Sequence, residues 1–337
     1  MISFIFLGGI AMKVALIGYG YWGPNIARNL NRSKKADLYA ICDIDEKNLN
    51  KARKLYGDDV KYVKDYHEVI DEVDAYAIAL RQDISYPIAW ELLSKKKNLF
   101  MEKPLATSTA QVDALGELSE QYGVVLHVDH IMVFHPIIRY VKQMIESGEL
   151  GELLYFDISR MNLGPHIKND INAMWDLAVH DLAVLDYLCD GMEAKRVSAA
   201  GLAHFGNSEE LTYLTVEYDG VIASVRSSWI SPIKERRMII AGTKKMAIFD
   251  DMQLDEKLTI CDKGIDILDD FEEYGKYEAR VRLGDLKMPH IETEDILLNS
   301  IEHFVDCINE GRESISGYKQ AHRVISILEQ ADQCMKG

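Results

Sequence analysis

The sequence predicts an α/β N-terminal domain, a doubly wound parallel sheet, followed by an α+β domain with a largely antiparallel sheet. Two rhythms and one turn predict it. From residue 12 onward, short apolar runs alternate with amphipathic stretches, the pattern of a parallel sheet covered by helices. Beyond "FHPIIRYVKQMIESGELG" strand-like segments dominate, as an antiparallel sheet requires. The turn is "GYGYWG", residues 18–23, set between the first apolar run and a stretch that continues as a helix.

Taken in order, the pattern predicts strands over Lys13–Gly18, Asp37–Asp43, Ala75–Leu80, Leu99–Glu102 and Val124–Asp129. Helices fill the gaps, including Pro87–Lys97 and Thr109–Tyr122. Strands are then expected at Leu153–Met161, Lys195–Leu202, Leu211–Tyr218, Val221–Trp229 and Arg237–Asp250. One helical stretch, Asn172–Leu188, interrupts them, and two more close the chain near Asp295–Glu310 and Gln320–Gln333. There is no internal repeat, low-complexity segment or Pro/Gly/Ser-rich linker. Met12, followed by "KVALIG", reads as the more natural start than the apolar "MISFIFLGGIA" before it, which is too short to span a bilayer and lacks a basic leader.

Composition narrows the function. With 337 residues and 48% hydrophobic content, the chain can bury a core in each of two domains. A net charge of -16 leaves no basic surplus for displacing counterions from nucleic acid. Cys42, Cys189, Cys261, Cys307 and Cys334 form no CxxC pair, so neither a zinc ribbon nor a disulfide scaffold is indicated and a cytoplasmic location is expected.

Gly18, Gly20 and Gly23 form GxGxxG between a strand and a helix. There the first glycine permits a tight turn, the second lets a pyrophosphate approach, and the third lets helix and strand pack closely. Asp43 ends the next strand, about 20 residues on, where an acid accepts hydrogen bonds from the adenosine ribose and repels a 2'-phosphate. NAD is therefore expected over NADP, on a Rossmann domain spanning 12–131, with 132–337 forming an α+β substrate-binding and oligomerisation domain. The expected cofactor-binding set is Gly18, Gly20, Tyr21, Trp22, Gly23, Asp43, Ile44, Leu80, Glu102 and Lys103.

Two further stretches carry chemistry. "FMEKPLA" puts Glu102 and Lys103 at the carboxyl end of a strand, where open α/β sheets bind their ligands. "MWDLAVHDLAVLDYL" puts Asp176 and His180 four apart, on one helix face. His127, Asp129, His130, His135 and His166 match no metal-ligand spacing, and no metal is expected.

These residues resemble the two-domain oxidoreductases that include glucose-fructose oxidoreductase and inositol dehydrogenase, the Gfo/Idh/MocA family. The resemblance runs from Met12 through nearly the whole chain. It is carried by "GYGYWG", "MEKPLA", "FHPIIRYVKQMIESGELGELLYFDISRMNLG", "WDLAVHDL" and "SSWISPIKERRMIIAGTKKMAIFDD". It implies that Lys103, Asp176 and His180 stand in the active site. "NLG", "WDLAVHD" and "SWISPIKERR" look most like the branch acting on nucleotide-linked sugars, such as UDP-N-acetylglucosamine 3-dehydrogenases. Arg160, Asn162, His166 and Trp175 are then expected at the substrate, with Arg160, Lys168, Arg236 and Arg237 as cations for a diphosphate. The chain departs from the family at "LRQDISYP", where a Thr-Pro turn is usual, at Asp129, where glycine is usual, and at His135, where asparagine is common.

Oxidation of a secondary alcohol needs a hydride acceptor and a base. No YxxxK sequence occurs, so Lys103 or His180 is the base, the other bonds the reacting oxygen, and Asp176 orients them. The expected substrate is a UDP-N-acetylhexosamine or its uronate, oxidised at C3. A free sugar or cyclitol, or a non-catalytic dinucleotide-binding regulator, are the alternatives. A homodimer or homotetramer is expected, with no nucleic-acid or membrane partner.

Overall fold

The computed structural model describes residues 11–164, 171–269 and 277–336. The chain forms two compact units. The first runs to Phe134 and also takes in Glu294–Ile325; the second holds His135–Thr293 and the residues from Ser326.

In the first unit, strands β1 (Met12–Ile17), β2 (Ala36–Cys42), β3 (Lys61–Val63), β4 (Ala75–Ile78), β5 (Asn98–Met101) and β6 (Leu126–Val128) lie in the order 3-2-1-4-5-6, all parallel. This order places the reversal of winding beside β1, so the glycine turn after β1 opens at the switch point. The crossover helices are α1 (Gly23–Arg32), α2 (Glu46–Tyr56), α3 (Gln82–Ser94) and α4 (Thr109–Tyr122). Side chains of Asp45 and Ser108 cap α2 and α4 by accepting from Lys47 N and Gln111 N, each such cap contributing about 1 kcal/mol. Gly123, left-handed at φ 65°, ends α4. Leu16, Ile26, Leu30, Ile41 and Phe100 pack with Ile301 and Phe304 of α7 (Ile296–Glu310), so a helix from late in the chain completes the core of the first unit.

The second unit contains α5 (Pro136–Glu146), β7 (Leu153–Leu163), a π-helical turn (Met174–Ala178) running into α6 (Val179–Leu188), and strands β8 (Arg196–Leu202), β9 (Leu211–Glu217), β10 (Ile222–Ser228), β11 (Ile230–Gly242), β12 (Met246–Asp250), β13 (Leu258–Asp269) and β14 (Tyr277–Lys287). The eight strands form one sheet, ordered 14-13-12-11-7-10-9-8, in which only the β7–β10 pair is parallel. The expected strand over Arg237–Asp250 is a hairpin of β11 and β12, and β13 and β14 add to the strands read from the sequence. The last helix, α8 (Tyr318–Lys336), begins in the first unit and ends in the second. Among the described residues, no helix is long and apolar enough to cross a membrane.

Candidate active site

In the first unit the candidate residues line up along the carboxyl ends of the parallel strands. The residue just beyond a strand donates its backbone N–H to the last carbonyl of the neighbouring strand: Gly18 N–H to Cys42, Ala79 N–H to Ile17, Glu102 N–H to Ile78 and Asp129 N–H to Met101. The side chains that follow the strands therefore share one edge of the sheet.

The three glycines are needed for different reasons. Gly18 has φ 94°, and a Cβ there would lie 2.6 Å from the Ala79 carbonyl oxygen and 2.7 Å from Leu80 Cδ2. A Cβ on Gly23 would lie 2.1 Å from the Gly18 carbonyl oxygen, so this glycine lets the helix start against the turn. A Cβ on Gly20 would meet nothing within 4 Å. Nothing in the fold demands a glycine at position 20, and the open space there fits the approach of a pyrophosphate. Asp43 stands beside it. Its Oδ2 accepts from Tyr19 N–H at 2.7 Å and from Asn48 Nδ2 at 3.1 Å, and its Oδ1 accepts from Asp45 N–H at 2.8 Å. Tyr21 and Ile44, 94% and 88% exposed, flank the turn as apolar surface, and Leu80 is half-buried under it. These residues fit a dinucleotide.

Glu102 and Lys103 follow β5. The Lys103 amide donates to Glu102 Oε2 at 3.2 Å, and the Glu102 side chain lies against that of Asp129 at the end of β6. Asp129 is buried, with its Oδ1 accepting from the Ser300 hydroxyl at 2.8 Å. Burial raises the pKa of both acids, Asp129 to about 7 and Glu102 well above the usual carboxylate range, while the Lys103 charge pulls the other way. Neither Asp129 nor Ser300 figured in the sequence-derived site; Asp129 was marked by its departure from glycine and by its place among residues that match no metal-ligand spacing.

In the second unit, Asp176 lies in the π-helical turn and His180 in the first turn of α6, both half-buried. The wider turn is one that frequently occurs at functional sites. Asp176 Oδ2 accepts from the indole N–H of Trp229 at 3.2 Å. Arg160 differs from its expected role. It is buried in a two-pronged ion pair with Asp181, Nε to Oδ2 at 2.8 Å and Nη2 to Oδ1 at 2.6 Å, so its charge is neutralised inside the fold. Trp175 is also buried, its indole N–H donating to Asp332 at 2.8 Å. Asn162 follows Arg160 by two along β7 and so shares its face; its Oδ1 is buried and accepts from no described group. His166 and Lys168 lie outside the described residues. Arg236 reaches Asp251 at 3.6 Å, and Arg237 is exposed. Among the described residues no group of three His, Cys, Asp or Glu is placed to hold a metal.

Residues 12–130 match the oxidoreductase family with an NAD-binding Rossmann fold, GFO/IDH/MocA, and residues 138–248 match the GFO/IDH/MocA C-terminal domain. Myo-inositol 2-dehydrogenase from Thermotoga maritima is 29% identical over 196 residues, which is 56% of this chain and 58% of that protein, so the match spans little over half of that relative. UDP-N-acetylglucosamine 3-dehydrogenase from Acidithiobacillus ferrooxidans is 25% identical over 244 residues, 72% of this chain and 74% of that protein. A crystal structure of the latter superposes with a TM-score of 0.81 at 22% identity, covering 97% of this chain and 98% of that one. With its parallel NAD-binding domain and its mostly antiparallel second sheet, this chain belongs to the GFO/IDH/MocA family of oxidoreductases.

Proposed function

We propose that the chain oxidises a secondary alcohol of a sugar with NAD, using Lys103 as base and Asp176 and His180 to bind and orient the alcohol. The observation that carries this reading is the single edge of the first sheet. It holds an open dinucleotide turn at Gly20, an acid at Asp43 and a lysine after β5 backed by buried carboxyls. Bound NAD would supply the hydride acceptor. Lys103, neutral when it acts, would take the hydroxyl proton, a step on the scale of about 10²–10⁴-fold in rate. In this division residues 12–131 bind NAD, and 132–337, apart from Glu294–Ile325, which belong to the first unit, bind substrate and carry self-association. Support for the latter comes from Tyr155, Tyr213, Ile222, Val281 and Leu283, apolar side chains 37–80% exposed on strands of the second sheet. Sedimentation of the purified chain reads the assembly, for which a homodimer or homotetramer is expected. A cytoplasmic location is supported by five free cysteines, four of them buried.

For the substrate, the proposal is a UDP-N-acetylhexosamine or its uronate, oxidised at C3, in line with the relative of that activity. The Arg160–Asp181 ion pair favours a second reading, a free sugar or cyclitol, because it removes one nominated cation from any diphosphate. Incubation with NAD and each substrate class, read by mass spectrometry for loss of about 2 Da as hydride plus proton depart, decides between them. The first reading expects UDP alone to compete with the substrate. Turnover of inositol without inhibition by UDP selects the second. Neither reading survives if no sugar or cyclitol is oxidised.

A further inference from the structure

We propose that Glu102 and Asp129 share one proton and form the proton acceptor behind Lys103, Glu102 passing the proton on and Asp129 receiving it. This rests on the reading of Lys103 as base. All the groups involved lie in the first unit.

The geometry begins with the sheet. The Asp129 amide donates to the Met101 carbonyl at 2.8 Å, which brings its side chain against that of Glu102, the next residue after β5. Glu102 Oε1 and Asp129 Oδ2 are both buried, and no described group donates a hydrogen bond to either. Two ionised carboxylates in that setting repel each other and leave two acceptors without donors. One proton held between them removes both costs.

The surrounding contacts say which member keeps it. Ser300 Oγ donates to Asp129 Oδ1 at 2.8 Å and lies 3.0 Å from His127 Nε2, while Ser314 Oγ lies 2.8 Å from His127 Nδ1. The Ser300 hydroxyl spends its one hydrogen on Asp129, so it accepts from Nε2–H, and Nδ1 of the neutral ring accepts from Ser314. Burial keeps that imidazole neutral. The indole N–H of Trp22 is buried near Asp129 without hydrogen-bonding to it. Asp129 thus has the shorter bond, from a hydroxyl at 2.8 Å, whereas Glu102 has the Lys103 amide at 3.2 Å. Asp129 is the ionised member and Glu102 the protonated one. The other titratable groups facing this cluster are Lys103, whose charge acts on both acids, His130, held neutral by burial beside Gln320, and His303, next to the His127 ring.

The transfer balances. Neutral Lys103 Nζ takes the alcohol's hydroxyl proton as the carbinol hydrogen leaves with its electron pair to the nicotinamide. The resulting ammonium gives a proton to Glu102 Oε2, the O–H bond at Glu102 Oε1 breaks, and a new one forms at Asp129 Oδ2. Lys103 is neutral again, Glu102 still holds one proton, and Asp129 has gained one. Loss of a negative charge from the pair offsets the positive charge that hydride transfer removes, so no net change of charge is left buried.

Infrared spectroscopy of the ligand-free full chain at about pH 8 reads the shared proton directly, as the carbonyl absorption of an un-ionised carboxyl group that shifts in D2O. The absorption is expected in the unmutated chain and absent from Glu102→Gln, whose carboxamide can still donate to Asp129 but has no proton to pass on. In Asp129→Asn it is expected to fade as the pH is raised toward 8, because the charge that holds the Glu102 proton is gone. Turnover of Glu102→Gln should fall about 10²-fold in a chain that still folds and still binds NAD. Absence of the absorption at about pH 8, or its unchanged persistence in Glu102→Gln, overturns the proposal. Normal turnover of Glu102→Gln beside an inactive Lys103→Ala also overturns it. A fully active Lys103→Ala instead removes the reading of the base on which the inference stands.

Discussion

Asp43 Oδ2 accepts the Tyr19 amide hydrogen at 2.7 Å, so the acid at the end of β2 holds the glycine turn that follows β1. This contact gives Asp43 two tasks, fixing the turn and meeting the ribose. Hydrogen bonds to a charged group contribute about 1.5–3 kcal/mol each. Asp43→Ala is therefore expected to weaken NAD binding by more than 10-fold and to narrow the preference over NADP. Calorimetric titration of both dinucleotides checks this, and tighter NADP binding by the unmutated chain would count against the ribose role.

The glycines separate folding from binding. Gly23→Ala drives a Cβ to 2.1 Å from the Gly18 carbonyl oxygen and should destabilise the fold by about 1–3 kcal/mol, the usual cost of overpacking. Gly20→Ala meets nothing in the protein and should leave the unfolding midpoint within about 0.5 kcal/mol of the unmutated value, as at other open surface positions. It should nevertheless abolish tight NAD binding. Thermal unfolding paired with NAD titration tests both, and equal effects of the two substitutions on stability would refute the distinction.

The sequence made the glycine turn, Asp43 and the β5 lysine legible because each lies in a short segment whose spacing carries its own geometry. What it hid lies far apart along the chain. Glu102 and Asp129 are neighbours only because β5 and β6 are adjacent strands, and Ser300 reaches them from α7. Arg160 and Asp181 pair across 21 residues, so a cation read as a surface charge is an interior one. The three-residue β3 is too short to display alternation. In β13 and β14, Asp262, Asp266, Arg280 and Arg282 dilute the apolar rhythm, and the ion pair between Arg282 and Asp266 links the two strands instead. Pro87, read as a helix start, lies in the second turn of α3, where it leaves the Asp83 carbonyl without its usual helical donor.

Breaking the Arg160–Asp181 pair from one side strands a buried charge. Arg160→Ala or Asp181→Ala should each cost about 3–5 kcal/mol, whereas replacing both by Met and Leu should cost much less. Denaturant midpoints of the three variants provide the check. A cost for the double variant equal to the sum of the single costs would show that the two side chains do not act as a pair.

The buried histidines and acids pull stability in opposite directions as the pH falls. His127 and His130 are held below their ordinary pKa by burial, His130 at about 4. The unfolded chain titrates them near 6.5, so between about pH 6.5 and 4 it binds protons that the native state does not, and their contribution is lost on acidification. Asp129, raised to about 7 by burial, and Glu102, raised further, are protonated in the native state where the unfolded chain keeps them ionised. Their effect is the reverse: it favours the native state at low pH and is lost as the pH rises through the folded values. With two groups on each side, the stability of the unmutated chain should vary little between about pH 4.5 and 6.5 through this cluster. Asp129→Asn keeps the acceptor for Ser300 but removes one opposing acid. It should raise the urea midpoint at about pH 8, where Asp129 is buried and charged, and should steepen the loss of stability between about pH 6.5 and 4.5. Urea unfolding at a series of pH values measures both, and parallel curves for the two proteins would show that Asp129 titrates as an ordinary exposed acid.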